Sequence, residues 1–227
     1  MIMKIAAWSD GHGTLPKLEE YVDVVIIAGD IVPLQIQKST QDSLTWFSTD
    51  FFNYIKKLNC KKVIMTPGNH DFVFERISPK TIKELINNDV EIADKLVYLV
   101  DDEYEYEGYK FYGTPWVKDI VNWAFYTEDP AQTFSHIPID TDILICHMPP
   151  KIDKVGCSYP YQPQERDFGS DSLREAIEVR DNIKYVFCGH VHTGIHDGIQ
   201  FNKAMIYNVS IKNENYKDVY NVTYLNI

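Results

Sequence analysis

Short unbroken apolar runs alternate along this chain with longer stretches of helical period. "KIAAW" (4–8) and "DVVIIAGD" (23–30) are rich in small and β-branched residues and end in polar or glycine breaks; both predict buried strands. Residues 41–58, "QDSLTWFSTDFFNYIKKL", set Leu44, Phe47, Phe51, Ile55 and Leu58 at helical spacing, with Ser39 or Thr40 in place to cap. "KKVIMTPGNHD" (61–71) predicts a third strand running into a loop, followed by a helix over about 79–88 and short strands near 96–100, 103–107 and 109–113. "YGTPW" (112–116) breaks the pattern, and the chain reads as helical or irregular to about 135. "TDILICH" (141–147) is another buried strand, stopped by Pro149-Pro150; residues 151–168 then read as a long irregular loop. A serine-capped helix over 169–180, a strand in "IKYVFCGH" (183–190) and strands in "KAMIYNVS" and "DVYNVTYL" complete the chain.

Length and composition add bounds. The 227 residues show no repeat, low-complexity linker or composition break, which predicts one α/β domain spanning 1–227. A net charge of −11, with no basic cluster longer than Lys61-Lys62, argues against duplex nucleic acid as a partner. No apolar run is long enough to span a membrane, and the N-terminal run is too short for a secretory leader. Cys60, Cys146, Cys157 and Cys188 form no CxxC pair, which argues against a thiolate zinc site; Cys146 and Cys188 each close an apolar run and predict buried free thiols in a reducing, cytoplasmic setting.

The chemistry gathers where the buried strands end. One ends in Asp10-Gly11-His12, the next in Gly29-Asp30, the third in Gly68-Asn69-His70-Asp71, a later one in Cys146-His147, and another in Gly189-His190-Val191-His192. Ligand sites of open α/β sheets lie beyond the carboxyl ends of the strands. Each segment alone has an ordinary explanation as a cap, a turn or a half-buried histidine. Together they bring carboxylate, imidazole and amide oxygen to one edge, a donor set suited to manganese, iron or zinc and unlike a structural thiolate site. Four histidines, two aspartates and one asparagine are enough for two ions if one carboxylate is shared, and such a pair polarises a phosphoryl group and holds a hydroxide between the ions. The H-x-H spacing of His190 and His192 then serves one ion with each imidazole.

"SDGH", "AGD", "PGNHD", "CH" and "GHVH", in this order across residues 9–192, resemble the calcineurin-like metallophosphoesterase superfamily. "GYKFYGTPW", "NWAF", "TDILICHMPP" and "VGC" are further similar to its metallophosphoesterase-domain group of small phosphodiesterases. The resemblance implies an α/β fold, a β-sandwich of two mixed sheets flanked by helices. It implies that Asp10, His12, Asp30 and His192 hold one divalent ion and Asp30, Asn69, His147 and His190 the second. Manganese is the first expectation, with iron, zinc, nickel or magnesium as alternatives. It also implies that His70 assists the leaving oxygen, that Asp71 orients His70, and that Asn69 and His70 face the substrate. Here "GDIVP" departs from relatives that carry a further acidic or polar residue after the "GD", so what supports Asp30 is not given by the motif.

The expected activity is hydrolysis of small phosphate esters, most of all nucleotide-type or cyclic phosphodiesters. The alternatives are a phosphomonoesterase, a nuclease of short oligonucleotides, and a non-catalytic scaffold, the last disfavoured because every ligand position is filled. Trp116, Trp123, Phe125, Tyr159 and Tyr161 are candidates to stack on a base, each with core packing or loop anchoring as the plainer role.

Overall fold

The computed structural model describes residues 2–227. A five-stranded sheet has the order β13-β1-β2-β3-β4, with β1 Lys4–Trp8, β2 Val22–Ala28, β3 Cys60–Thr66, β4 Leu96–Tyr98 and β13 Thr223–Asn226. A six-stranded sheet has the order β11-β12-β10-β7-β6-β5, with β5 Asp102–Tyr106, β6 Tyr109–Thr114, β7 Ile143–Cys146, β10 Tyr185–Cys188, β11 Ile199–Phe201 and β12 Ala204–Asn208. The pairs within β1–β4 and within β6, β7, β10 and β12 are parallel, and antiparallel strands lie at edges. Both sheets are therefore mixed, as expected.

The apolar runs are continuous because the central strands are covered on both faces. Ile5, Ala7, Val24, Ile26 and Ile64 meet Phe111, Ile143, Ile145 and Phe187 between the sheets. The alternate residues Ala6, Trp8, Val25, Ile27 and Val63 face outward onto α1 Thr40–Trp46, α2 Phe52–Lys57, α3 Phe72–Arg76 and α4 Pro79–Asn87. Leu144, Cys146, Val186 and Cys188 likewise meet α5 Pro130–Ser135 and α6 Asp171–Glu178. The predicted helix over 41–58 is α1 and α2 joined by a π-helical turn at Phe47–Phe51. That wider turn keeps Phe47 and Phe51 buried together, their rings stacked 5.3 Å apart. Ser39 caps α1 and Ser170 caps α6.

Two expectations change. Of "DVYNVTYL" only Thr223–Leu225 falls in a strand, β13; Val219 and Tyr220 instead close a loop, their N–H groups donating to Ile211 O. Residues 151–168 are not wholly irregular: β8 Cys157–Ser158 pairs with β9 Arg166–Asp167. The stretch 116–135, expected to be helical or irregular, is irregular up to α5. Among the described residues, no helix is long and apolar enough to cross a membrane.

Candidate metal centre

The carboxyl ends of β1, β2, β3, β7 and β10 meet at one edge of the sandwich. Backbone bonds tie these ends together: Asp10 N–H donates to Gly29 O (3.0 Å), His12 N–H to Asp30 O (2.9 Å) and Gly189 N–H to His147 O (3.0 Å). Close packing requires glycine at the turns. Gly29 has φ +95°, and a Cβ there would run into His147 Nδ1, while one at Gly68 would run into Asp30 Oδ1. The chain then turns sharply inward. Asp10, His12, Asp30 and His190 all have left-handed backbone, with φ of 56°, 44°, 58° and 67°. Non-glycine residues in that region carry strain that the surrounding structure must hold, and such residues gather at functional sites.

All seven proposed ligands come together. Asp10, His12 and His192 present ligand atoms within 4.8 Å of one another, as do Asp10, Asp30 and His147, and His12, Asp30 and His70. Asp30 Oδ2 lies 3.4 Å from His147 Nε2, 3.9 Å from His12 Nε2 and 4.0 Å from His70 Nε2, the central position a shared carboxylate needs. Asn69 Oδ1 sits 2.9 Å from His147 Nε2 and 2.8 Å from His190 Nδ1. His192 Nε2 is 3.4 Å from both Asp10 Oδ1 and His12 Nε2. Other contacts fix the rings: His147 Nδ1 bonds to Ala28 O at 2.8 Å and His192 Nδ1 to Asn213 O at 3.0 Å. The hydroxyls of Ser9 and Ser210 donate to Asp10 Oδ2.

The electrostatics fit cations. Burial pushes the His12 and His190 imidazoles down to about 3, leaving both in the neutral, ligating form. Burial opposes charge on His147 and His192 too, but Asp30 and Asp10 outweigh it and raise them to about 9. Burial likewise opposes ionisation of Asp10 and Asp30, yet the neighbouring histidines hold both carboxyls below the usual range. Two ionised carboxylates buried among imidazoles whose nitrogens converge form a donor set for divalent ions. His12 Nε2 belongs to this set, while its Nδ1 is buried with no hydrogen-bond partner.

His70 and Asp71 require a correction. Asp71 does not orient His70. Its carboxylate accepts the N–H groups of Asp30 (2.9 Å), Ile31 (3.3 Å), Val32 (2.9 Å) and Gly68 (2.9 Å), stapling the turn after β2 to the turn after β3. Burial and the charge of Asp30 raise this carboxyl to about 7. The His70 ring is held instead by Gln37, whose Oε1 lies 2.7 Å from Nδ1, and by Trp123, whose ring is 4.4 Å away. The motif offers no hint of Gln37, which lies seven residues beyond Asp30 in the mixed segment "IVPLQIQKST".

Of the five candidate stacking aromatics, Trp123 alone packs on a site histidine. Trp116 donates to Asp101 and Phe125 is buried; Tyr159 is anchored through its N–H to Thr193 Oγ1, and Tyr161 lies beneath Lys154. An aromatic absent from those candidates stands at the mouth: the Tyr216 ring meets His12 edge-on at 5.0 Å and His192 at 5.4 Å. Its backbone φ of 57° is strained for so bulky a residue. The polar run "NENYKD" carries no pattern that would have marked it.

The chain is 25% identical to human metallophosphoesterase domain-containing protein 1 over 93% of its own length and 67% of that protein. It is 27% identical to a UPF0046 protein of Caenorhabditis elegans over 81% of its own length and 66% of that protein. It thus spans about two thirds of the length of these relatives. A dimetal phosphatase from Danio rerio superposes with a TM-score of 0.52 at 11% identity, covering 93% of this chain and 87% of that one, a likeness of fold. The family model for calcineurin-like phosphoesterases matches residues 3–194, from β1 through the last histidine of the site, and the chain belongs to that family.

Proposed function

We propose that this metal-dependent phosphoesterase is a phosphodiesterase of small nucleotide-type or cyclic phosphodiesters. The observation that carries the reading is the convergence of Asp10, His12, Asp30, Asn69, His147, His190 and His192 at one edge, with the Nε2 of His70 directed at Asp30 beside them. Asp10, His12, Asp30 and His192 hold one ion in this reading; Asp30, Asn69, His147 and His190 hold the other. The oxygen and imidazole donors suit manganese. The ions supply Lewis-acid polarisation of the phosphoryl oxygens and lower the pKa of water.

The residues of the chain do the rest. Asn69 and His70 face the phosphoryl group, and His70 gives a proton from Nε2 to the leaving oxygen. A diester rather than a monoester is supported by what surrounds the site. The partners of its carboxylates are histidines, hydroxyls and backbone N–H groups, and among the described residues no lysine or arginine pairs with Asp10 or Asp30. A singly charged diester needs less added positive charge than a doubly charged monoester. The net charge of −11 favours small substrates over long polyanions. Four free cysteines, three of them buried, support a reducing cytoplasm.

The test is a substrate panel with manganese: cyclic nucleotides, a dinucleotide, an aryl diester and the matching aryl monoester, with bound metal measured in parallel. Diester turnover at least about tenfold above monoester turnover is expected. Monoester preference would replace the reading with a phosphomonoesterase, and two bound ions with no turnover would favour the scaffold.

A further inference from the structure

Gln37 and His70 lie 33 residues apart in sequence, and their side chains meet at 2.7 Å between Oε1 and Nδ1. The backbone on both sides of Gln37 is braced. Ile36 N–H donates to Pro33 O (3.1 Å), and Ile36 O accepts from Ser39 N–H (2.8 Å) and Ser43 Oγ (2.9 Å). Arg76 Nη1 donates to Lys38 O (2.7 Å) and Thr40 Oγ1 (3.1 Å). The carboxamide is therefore presented from a fixed turn rather than a free loop. The imidazole is confined as well: Trp123 packs on it at 4.4 Å and His12 meets it edge-on at 4.7 Å, while the backbone N–H of His70 donates to Asp30 Oδ1 at 2.7 Å.

We propose that Gln37 is a positioning residue that acts through His70: its carbonyl keeps the proton on Nδ1 and leaves Nε2 as the one ring nitrogen that exchanges a proton at the site. An amide oxygen accepts a hydrogen bond and cannot donate one, so the ring must carry its hydrogen at Nδ1 in both the neutral and the charged form. In hydrolysis the water oxygen forms the new P–O bond. The bond to the leaving oxygen breaks, its electron pair stays on that oxygen, and the Nε2 proton goes to it. The water's surplus proton passes to solvent, from which Nε2 is recharged. Unlike a carboxylate, the amide orients the ring without adding negative charge to a pocket that already holds Asp10 and Asp30.

The inference rests on the phosphodiesterase reading in its kinetic part only, so it is tested in two ways. Nitrogen NMR of His70, in the metal-free and the zinc-loaded protein, reads the tautomer without turnover. A protonated Nδ1 and a bare Nε2 are expected in the neutral ring, and loss of that bias in Gln37→Leu, a variant of similar bulk without an acceptor. The opposite tautomer in the unmutated protein would overturn the proposal. Kinetically, Gln37→Leu should lower kcat on an alkyl diester by about tenfold, within the range of general acid catalysis, with KM nearly unchanged. A nitrophenyl diester should be hardly affected, and Gln37→Glu, which restores the acceptor, should recover most of the alkyl rate. In a His70→Ala background Gln37→Leu should have no further effect. An equal loss in both backgrounds would mean that Gln37 acts elsewhere. The expected tautomer with no diesterase activity in any variant would leave the positioning contact standing and remove the phosphodiesterase reading.

Discussion

Asp30 and Asp71 are both buried carboxylates of a single turn cluster, and their surroundings assign them opposite work. Asp30 faces inward, with three histidine nitrogens within 4.0 Å of Oδ2. Asp30→Ala should abolish turnover and remove about one ion or more, since a shared ligand serves both; metal analysis showing two tightly held ions would refute its bridging position. Asp71 faces away and accepts four backbone N–H groups. Each buried donor left without an acceptor costs about 1–3 kcal/mol, so Asp71→Ala, which strands four, should destabilise by roughly 4 kcal/mol or more in a denaturant titration. Remaining turnover should fall alike on aryl and alkyl esters. A selective loss on alkyl esters with full stability would restore the idea that Asp71 orients His70.

Strand ends carry the site because each central strand stops at a glycine or a tight polar turn, and this was legible in the chain. The alternation of Ile5 and Ala7 against Ala6 and Trp8 cannot be seen as alternation in an all-apolar run, but the run itself predicts a strand covered twice. What stayed hidden depends on contacts distant in sequence. Ser210 reaching Asp10, Asn213 reaching His192 and Gln37 reaching His70 follow from where loops land, and no local spacing encodes that. The π-helical turn is likewise silent in the sequence: it adjusts the facing of Phe47 and Phe51 without altering the helical period enough to be read. Glycine at the strand end gives a test at this scale. A Cβ at Gly189 would run into Ser9 Oγ and Asp10 Oδ2, whereas Gly108, with φ +79°, has open space around it. Gly108→Ala should cost about 1 kcal/mol through backbone strain alone and leave metal content intact. Gly189→Ala should displace Asp10 and weaken metal binding at least tenfold, about 1.4 kcal/mol. Equal metal affinity in the two variants would mean that the β10 turn does not set the position of Asp10.

The whole molecule closes its two sheets against each other at the metal edge, where Ser9 after β1 bridges Ser210 after β12 and the His147 ring of one sheet bonds Ala28 O of the other. In the proposed ligand set, protons and divalent ions compete for the same joint. With the ions removed by chelation, His147 and His192 are held at about 9 by Asp30 and Asp10 against their burial, above the 6.5 of an unperturbed histidine. A raised folded value means that the folded chain binds the extra protons. Their stabilising contribution is complete below about 6.5 and is lost as pH rises through about 9. His12 and His190, pushed to about 3 by burial, have the opposite sign: their contribution is present above 6.5 and fades as pH falls toward 3. Stripped protein should thus melt at progressively lower temperature between pH 7 and 9, while the manganese-loaded protein changes little. Ligation requires neutral imidazole, so loading near pH 7.5 must expel the protons of His147 and His192 and none from His12 or His190. Calorimetry in two buffers of different ionisation enthalpy should report release of about two protons for a full load of metal, and apparent affinity should rise with pH up to about 9. Loading with no proton release, or an affinity flat from pH 7 to 9, would show that His147 and His192 are not displaced from their carboxylates by metal, and would remove both from the ligand set.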